Sequence, residues 1–244
     1  MKQRSSQGIR DLLQARKERI LLPVIVLLLI AAMLSVKTVY TTLNEAEGDT
    51  RRWLVVIDPG HGGFDPGKVG VGEVLEKDIN LAISLKLKAL LEQNDVTVVM
   101  TREKDEGLSK SGESSKKNSD MRNRVGQVNR AGADVAVSIH QNSFTESSSR
   151  GAQVFYHGNS EEGKVLAEIL QEQLKETLQD GNHRMAKSND SYYMLKKTEC
   201  PFAIVECGFL SNPDEAALLQ EESYQEKVAW AIHLGILQYL NKEP

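Results

Sequence analysis

Short apolar runs alternate with amphipathic segments along residues 53–240. Brief runs rich in Val, Ile, Ala and Phe are typical of buried strands, whereas apolar residues that recur every three or four positions are typical of helices. The pattern predicts strands at 53–57, 96–100, 135–139, 152–156, 192–197 and 202–205. It predicts helices at 76–94, 121–132, 163–178, 214–220 and 223–240.

Strands and helices alternate without an internal repeat, which indicates an α/β fold. A strand that is followed by a helix usually returns parallel to its neighbour. The sequence therefore predicts a three-layer domain whose mixed, mostly parallel twisted sheet is flanked by helices. The polar stretch 102–120 has no periodicity and is longer than an ordinary connection. It is interpreted either as a rim or mobile flap beside a site, or as a disordered surface loop.

The N-terminal part of the chain predicts export of the domain. An uncharged apolar run, 20–36, follows a segment with more basic than acidic residues, and a basic flank favours the cytoplasmic side of a membrane. A transmembrane anchor and a cleaved signal peptide both fit this pattern. The expected organisation is a cytoplasmic basic N-terminus (1–19), a transmembrane helix or signal segment (20–40), a linker (41–52) and one exported domain (53–244).

Composition narrows the class of protein. A chain of 244 residues can hold a membrane segment and a domain large enough to bury a full core. The net charge is −4 and only 5% of the residues are aromatic, so the basic and aromatic surface typical of nucleic-acid binding is not expected. No nucleic-acid partner is predicted.

The glycine-rich stretch VVIDPGHGGFDPGKVGVGEVLE, residues 55–76, places His61 just past the first predicted strand. Loops at the carboxyl ends of parallel strands hold the chemistry of α/β proteins. Residues 62–69 match the spacing of a phosphate-binding loop, except that Val69 replaces the hydroxyl residue that would hold Mg²⁺. Because no helix is predicted to begin at Lys68 either, nucleotide binding is disfavoured.

Polar residues follow three of the predicted strands, at positions where packing of the hydrophobic core does not explain them. His61 follows the first strand, His140 the third and Glu206 the last, and Glu76 begins the first helix. If these strands are parallel, their carboxyl ends share one edge of the sheet, so the four side chains should share one cleft. Asp58 is either a turn residue before proline or a hydrogen-bond partner of a ligating imidazole.

Two imidazoles and one carboxylate are the ligand set of a catalytic zinc ion that keeps a position open for water. On this interpretation His61, Glu76 and His140 bind one Zn²⁺ per chain. Glu206 is then the general base and later the general acid. Taken singly, each residue has an ordinary alternative, such as a helix-terminal charge for Glu76. A Cys/His nucleophile is disfavoured because strand alternation points Cys207 away from Glu206.

These motifs resemble those of the zinc-dependent N-acetylmuramoyl-L-alanine amidases of bacterial cell walls, the amidase type 3 family. The matching motifs are IDPGHGGFDPG around His61, LEKDINLAISL at Glu76, ADVAVSIHQNS around His140 and AIVECGFLSNPDE around Glu206. Their order and spacing cover the chain from residue 53 to about residue 240. The resemblance implies a three-layer α/β catalytic domain that cuts the amide between N-acetylmuramic acid and L-alanine in peptidoglycan.

One hydrophobic segment ahead of the domain is similar to the arrangement in the spore-cortex amidases of endospore formers. That resemblance implies removal of stem peptides from the cortex, which prepares muramic acid for δ-lactam formation and germination. The expected partners are peptidoglycan, the membrane through residues 20–40, and an accessory protein of unknown identity. The domain is expected outside the cytoplasm, anchored or secreted, in the forespore envelope. The alternative is a catalytically inactive cell-wall-binding protein on the same fold.

Overall fold

Six strands form one sheet in the part of the chain that the structure describes. The computed structural model describes residues 30–33, 35, 52–109 and 115–242. The strands are β1 (Leu54–Pro59), β2 (Thr97–Met100), β3 (Val135–Asn142), β4 (Gln153–Tyr156), β5 (Lys187–Ser188) and β6 (Phe202–Phe209). Their order is β2-β1-β3-β6-β4-β5, and β4 pairs antiparallel with β6 while the other pairs are parallel. The carboxyl ends of β1, β3 and β6 therefore lie at the same edge.

Helices cover both faces of this sheet. They are α1 (Glu76–Glu92), α2 (Lys116–Ala131), α3 (Glu161–Leu178), α4 (Tyr193–Lys197), α5 (Pro213–Leu218) and α6 (Glu222–Leu240). Apolar residues of α1, α3 and α6 pack on one face, and those of α2 and α4 pack on the opposite face. The predicted three-layer α/β fold with a mixed sheet is confirmed.

The two layers of the core follow the alternation of side chains along each strand. On β1, Ile57 packs in the layer of α1, α3 and α6, whereas Val56 packs in the layer of α2 and α4. On β6, Val205 and Ile204 divide in the same way. Because both faces of the central strands are covered, these strands read as continuous apolar runs.

Strands β3 and β6 are longer than predicted. Polar residues end the apolar runs in the sequence, but the strands continue as far as Asn142 and Phe209. His140 and Glu206 therefore lie within the strands and not after them. Their backbones share the regular hydrogen bonding of the sheet, which fixes where their side chains leave it.

Three other elements differ from the prediction. The prediction of a strand at 192–197 is wrong. This segment contains helix α4, in which Met194 and Leu195 are buried and the following lysines are exposed. Strand β5 has no apolar residue and so gave no signal in the sequence. Helix α2 begins at Lys116, earlier than predicted, because its first turn is polar.

The predicted membrane segment, residues 20–40, lies outside the described residues except for 30–33 and 35, which are helical. No described helix has both the length and the apolar character needed to span a membrane. The predicted N-terminus (1–19) and the linker (41–52, apart from residue 52) also lie outside the described residues. The organisation of this part of the chain stays a prediction.

Two buried arginines hold the backbone that follows β1. Arg124, from α2, donates hydrogen bonds to the Pro59 carbonyl at 2.8 Å and to the His61 carbonyl at 2.5 Å. Arg102, which follows β2, donates to the carbonyls of Pro59 and Gly60, both at 3.0 Å. Each side chain is only 2% exposed. Because a guanidinium offers five donors in a rigid plane, these contacts fix the path of the chain out of β1.

The charge of Arg124 is balanced by two carboxylates. Its Nη1 lies 2.7 Å from Asp58 Oδ1, and its Nε lies 2.6 Å from Asp120 Oδ2. Thr101 and Ser138 also donate hydrogen bonds to Asp58, each at 2.6 Å. Burial by itself raises the pKa of Asp58, but Arg124 and the two hydroxyl groups outweigh burial and lower this pKa to about 2. The stability that the Asp58 carboxylate contributes is therefore fully present at neutral pH and is lost progressively as the pH falls from the ordinary pKa of 3.8 to about 2.

Replacing Arg124 with Met should lower the free energy of unfolding by about 3–5 kcal/mol, because it leaves buried carboxylates without their cationic partner. Urea unfolding at neutral pH measures this change. Arg122→Met is the matched control, since Arg122 is exposed on the same helix. The control should change the free energy of unfolding by less than about 0.5 kcal/mol. Equal losses in the two variants would contradict the role assigned to Arg124.

Candidate metal centre

Neighbouring strands place His140 and Glu206 side by side. The two residues are register partners in the parallel pairing of β3 with β6, so their side chains leave the sheet on the same face. This face is the one covered by α2 and α4, because Ile204, two positions before Glu206, packs in that layer. An imidazole and a carboxyl group therefore emerge together near the carboxyl ends of the strands.

His61 reaches the same space from the loop after β1. Its backbone has a φ of 60°, a left-handed conformation that is uncommon for a residue with a side chain. Arg124 holds its carbonyl oxygen in this conformation. The imidazole of His61 meets that of His140 edge to face, with ring centroids 5.0 Å apart and an interplanar angle of 82°. The loop thus brings the second imidazole to the first.

Glu76 joins the two imidazoles from the first residue of α1. Its Oε1 lies 2.9 Å from His140 Nδ1, and its Oε2 lies 3.2 Å from His61 Nε2. The backbone N–H groups of Lys68 and Gln141 donate to the same carboxylate at 2.8 and 3.1 Å. Burial by itself raises the pKa of Glu76, but the hydrogen bonds and charges of the two imidazoles outweigh burial and lower this pKa. Glu76 is therefore a carboxylate at neutral pH.

The residues His61, Glu76 and His140 together fit a divalent metal ion. One ligand atom from each side chain lies within 4.8 Å of the other two. Two imidazole nitrogens and a carboxylate oxygen are the donors that catalytic zinc sites use. The cluster lines a cavity of about 400 Å³, which leaves room for water and substrate beside the ligands. The structure thus brings together the three residues that were predicted as ligands.

Glu206 lines the same cavity as these three residues. It is 8% exposed, and its Oε2 has no hydrogen-bond partner among the described residues. Burial, with a smaller effect of the Glu76 charge, raises the pKa of Glu206 to about 7, and the nearby imidazoles of His140 and His61 offset this rise only in part. A carboxyl group with a pKa near neutrality can accept a proton and then donate it at physiological pH.

Asp65 contacts a proposed ligand, His61, and this contact was not predicted from the sequence. Its Oδ2 lies 2.9 Å from Nδ1 of His61, on the side of the ring away from Glu76. Of the two alternatives left open for Asp58, a hydrogen bond to a ligating imidazole is wrong, since the partners of Asp58 are Arg124 and two hydroxyl groups. A turn residue is wrong too, because Asp58 lies within β1. Asp65 comes four residues after His61 in a glycine-rich turn, and this spacing is the sequence feature that could have predicted the contact.

Gly60 makes room for the ring of His140. A Cβ atom at this position would lie 2.2 Å from His140 Cε1 and 2.3 Å from its Nε2. Gly67 lies similarly close to Glu76, because a Cβ atom at Gly67 would lie 2.5 Å from Glu76 Oε2. The backbone φ of Gly67, 71°, also favours glycine. Two of the glycines in this loop are therefore needed for close contact with the candidate ligands.

The walls of the cavity come from α2, the end of β3, and α4 with the residue before it. They include Lys117, Met121, Asn142, Tyr192 and Met194. Cys207 lies outside this space, because it is fully buried in the core layer on the opposite face of the sheet. That position agrees with the argument from strand alternation against a cysteine nucleophile.

A sequence model of the N-acetylmuramoyl-L-alanine amidase family, Amidase_3, matches residues 55–238. The germination-specific N-acetylmuramoyl-L-alanine amidase of Bacillus subtilis (strain 168) is 39% identical over 193 residues, which cover 78% of this chain and 81% of the relative.

Solved structures show the same similarity. The CwlD amidase from Clostridioides difficile, solved in complex with the GerS lipoprotein, superposes with a TM-score of 0.75 and 42% identity, covering 78% of this chain and 98% of that one. The N-acetylmuramoyl-L-alanine amidase AmiC2 of Nostoc punctiforme superposes with a TM-score of 0.69 and 34% identity, covering 78% and 98%.

Glu206 should make the stability of the metal-free protein depend on pH. Its pKa of about 7 in the folded state exceeds the ordinary value of 4.5, so the folded state binds an extra proton between these values. Stability should therefore fall as the pH rises through this range. Glu206→Gln should remove this effect and be more stable than wild type at about pH 8, by roughly 3 kcal/mol.

Urea unfolding of both proteins after chelation, at about pH 4 and about pH 8, measures the difference. The two proteins should differ little at the lower pH, where the carboxyl group is neutral in both the folded and the unfolded state. A difference that does not vary with pH would contradict the buried, unpartnered carboxyl group.

Proposed function

The chain belongs to the family of N-acetylmuramoyl-L-alanine amidases, and on that premise we propose that His61, Glu76 and His140 bind a catalytic zinc ion. The enzyme hydrolyses the amide bond between N-acetylmuramic acid and L-alanine in peptidoglycan. One observation carries the zinc proposal: three donor groups from a loop, a helix and a strand meet within 4.8 Å of one another. A cluster of this composition beside a cavity of about 400 Å³ matches the needs of a hydrolytic metal site.

Hydrolysis forms a bond between a water oxygen and the lactyl carbonyl carbon and breaks the bond from that carbon to the nitrogen of L-alanine. Zinc in such a site supplies Lewis acidity, which lowers the pKa of water and polarises a carbonyl group. Glu206 accepts the proton of the attacking water at Oε2, an atom that has no hydrogen-bond partner among the described residues. The same carboxyl group then gives the proton to the leaving nitrogen, so that a neutral amine departs.

The fold keeps this proton carrier in place throughout the reaction. Glu206 and His140 are register partners on paired strands, so their separation is set by the sheet and not by mobile loops. In the metal-free protein, burial raises the pKa of Glu206 to about 7, close to the value at which accepting and donating a proton are both efficient. The base therefore needs no rearrangement before the chemical step.

We further propose that the substrate is the peptidoglycan of the spore cortex. Hydrolysis frees the lactyl carboxyl group of muramic acid, which is the group that δ-lactam formation requires. Two similarities support this proposal: 39% identity to the germination-specific amidase of B. subtilis across 81% of its length, and 42% identity to the CwlD amidase of C. difficile. Closure of the lactam is a separate reaction on an amine that another enzyme must unmask.

The proposed site of action is outside the cytoplasm, with the domain anchored by residues 20–40 or released after their cleavage, in the forespore envelope. The basic flank of this apolar segment and the location of peptidoglycan support that proposal. An accessory lipoprotein is the proposed partner, because the CwlD amidase of C. difficile was solved in complex with the lipoprotein GerS.

Glu206→Gln should lower kcat on purified peptidoglycan by about 10²–10⁴-fold, because it removes the group that transfers the proton. Release of new L-alanine amino termini measures the reaction. The variant should still bind zinc, since Glu206 is not one of the proposed ligands. Chelation should silence the wild type, and added Zn²⁺ should restore it. Equal activity of variant and wild type would exclude Glu206 as the base.

Expression of this chain in a B. subtilis strain that lacks its germination-specific amidase tests the spore-cortex proposal. The wild-type chain should restore muramic δ-lactam to the cortex and germination to the spores, whereas Glu206→Gln should restore neither. Muropeptide analysis of spore peptidoglycan is the measurement. An active enzyme that leaves the cortex free of δ-lactam would reject the cortex as substrate without affecting the zinc proposal.

A further inference from the structure

The two histidines of the metal centre are oriented by different means. His140 projects from strand β3, and its ring packs so closely over Gly60 that a Cβ atom there would lie 2.2 Å from it. His61 lies in a loop with a φ of 60°, so no regular element sets the direction of its side chain. Its ring needs a separate contact to keep Nε2 turned toward Glu76.

Asp65 makes that contact. Its Oδ2 lies 2.9 Å from Nδ1 of His61, and its Oδ1 accepts the backbone N–H of Gly67 at 3.1 Å. Two backbone hydrogen bonds between Gly62 and Asp65, at 2.9 and 3.1 Å, close the intervening turn. This turn places the carboxylate against the ring of the histidine that precedes it.

From this geometry we infer that Asp65 is a positioning residue that fixes the tautomer and the ring orientation of His61. A carboxylate can only accept a hydrogen bond, so the bond requires the imidazole proton on Nδ1. In the zinc-loaded protein the lone pair of Nε2 would then bind the metal, on the side of the ring where Glu76 Oε2 lies 3.2 Å away. Outer hydrogen bonds of this kind orient metal-bound histidines in general. The inference rests on the zinc site proposed above.

The other cation near Asp65 does not account for its placement. Lys117 Nζ lies 3.8 Å from the same Oδ2, but the lysine side chain is 71% exposed. An exposed ion pair at this distance contributes little. The contact with His61 is shorter and better shielded, because the histidine side chain is only 20% exposed. The imidazole is therefore the main partner of this oxygen.

Asp65→Asn separates the positioning role from a purely structural one. The shape of the side chain is kept, but the amide has one acceptor oxygen for two donors, Nδ1–H of His61 and N–H of Gly67. Asp105→Asn is the matched control. Asp105 supports the same loop by accepting the N–H of Gly63 at 2.7 Å and by pairing with Lys77.

Competition with a chromophoric chelator gives the zinc dissociation constant of each protein. The constant should rise about 10–100-fold for Asp65→Asn and for Asp65→Ala, and less than about threefold for Asp105→Asn. Thermal unfolding of the metal-free proteins checks that each variant is folded. In the wild type loaded with zinc, the ¹⁵N resonances of His61 should show a protonated Nδ1, a readout that does not depend on any variant.

Three results would overturn the positioning role: unchanged zinc affinity in Asp65→Asn, an equal loss in Asp105→Asn, or protonation of Nε2 in the wild type. Each of these leaves the zinc proposal standing, because the wild type still binds the metal. A wild-type protein that binds no zinc would instead reject the zinc site, and the inference about Asp65 with it.

Discussion

The hydrogen bonds from two buried arginines to the carbonyl groups of residues 59–61 are the constraint on which the site depends. After β1 the chain must turn away from the sheet, and at His61 it adopts a left-handed conformation. Buried carbonyl groups without partners would each cost a free energy comparable to a lost hydrogen bond. Arg102 and Arg124 supply those partners, so the strained turn is held in place and the imidazole stays at the edge of the sheet.

The other two proposed ligands are held by regular structure. His140 lies within β3, in register with Glu206 on β6, and Glu76 is the first residue of α1. The carboxylate of Glu76 accepts backbone N–H groups from the glycine-rich loop and from the strand. It therefore joins three separate segments before any metal binds. The loop ligand alone depends on side-chain contacts for its orientation, and those contacts are Arg124 on its backbone and Asp65 on its ring.

The sequence predicts those parts of the fold whose signal is local. Apolar runs mark the central strands because both faces of the sheet are covered, and the order of polar residues after these runs locates the shared cleft. The ends of β3 and β6 could not be predicted, because a strand that enters a site carries polar residues and so loses its apolar pattern. Arg102 and Arg124 could not be predicted either. Cations are rarely fully buried, and only the tertiary contacts of the loop show why these two are.

Three buried carboxyl groups that line the same cavity differ in pKa because their partners differ. Asp58 has a guanidinium and two hydroxyl groups, and Glu76 has two imidazoles and two backbone N–H groups, so the pKa of each is lowered despite burial. Glu206 is also buried, but its Oε2 lacks a partner among the described residues, and its pKa rises to about 7. Environments that push neighbouring pKa values apart identify the acid and base of a site. On that ground Asp58 belongs to the scaffold, Glu76 fits the proposed metal site, and Glu206 is the carboxyl group able to carry a proton near neutral pH.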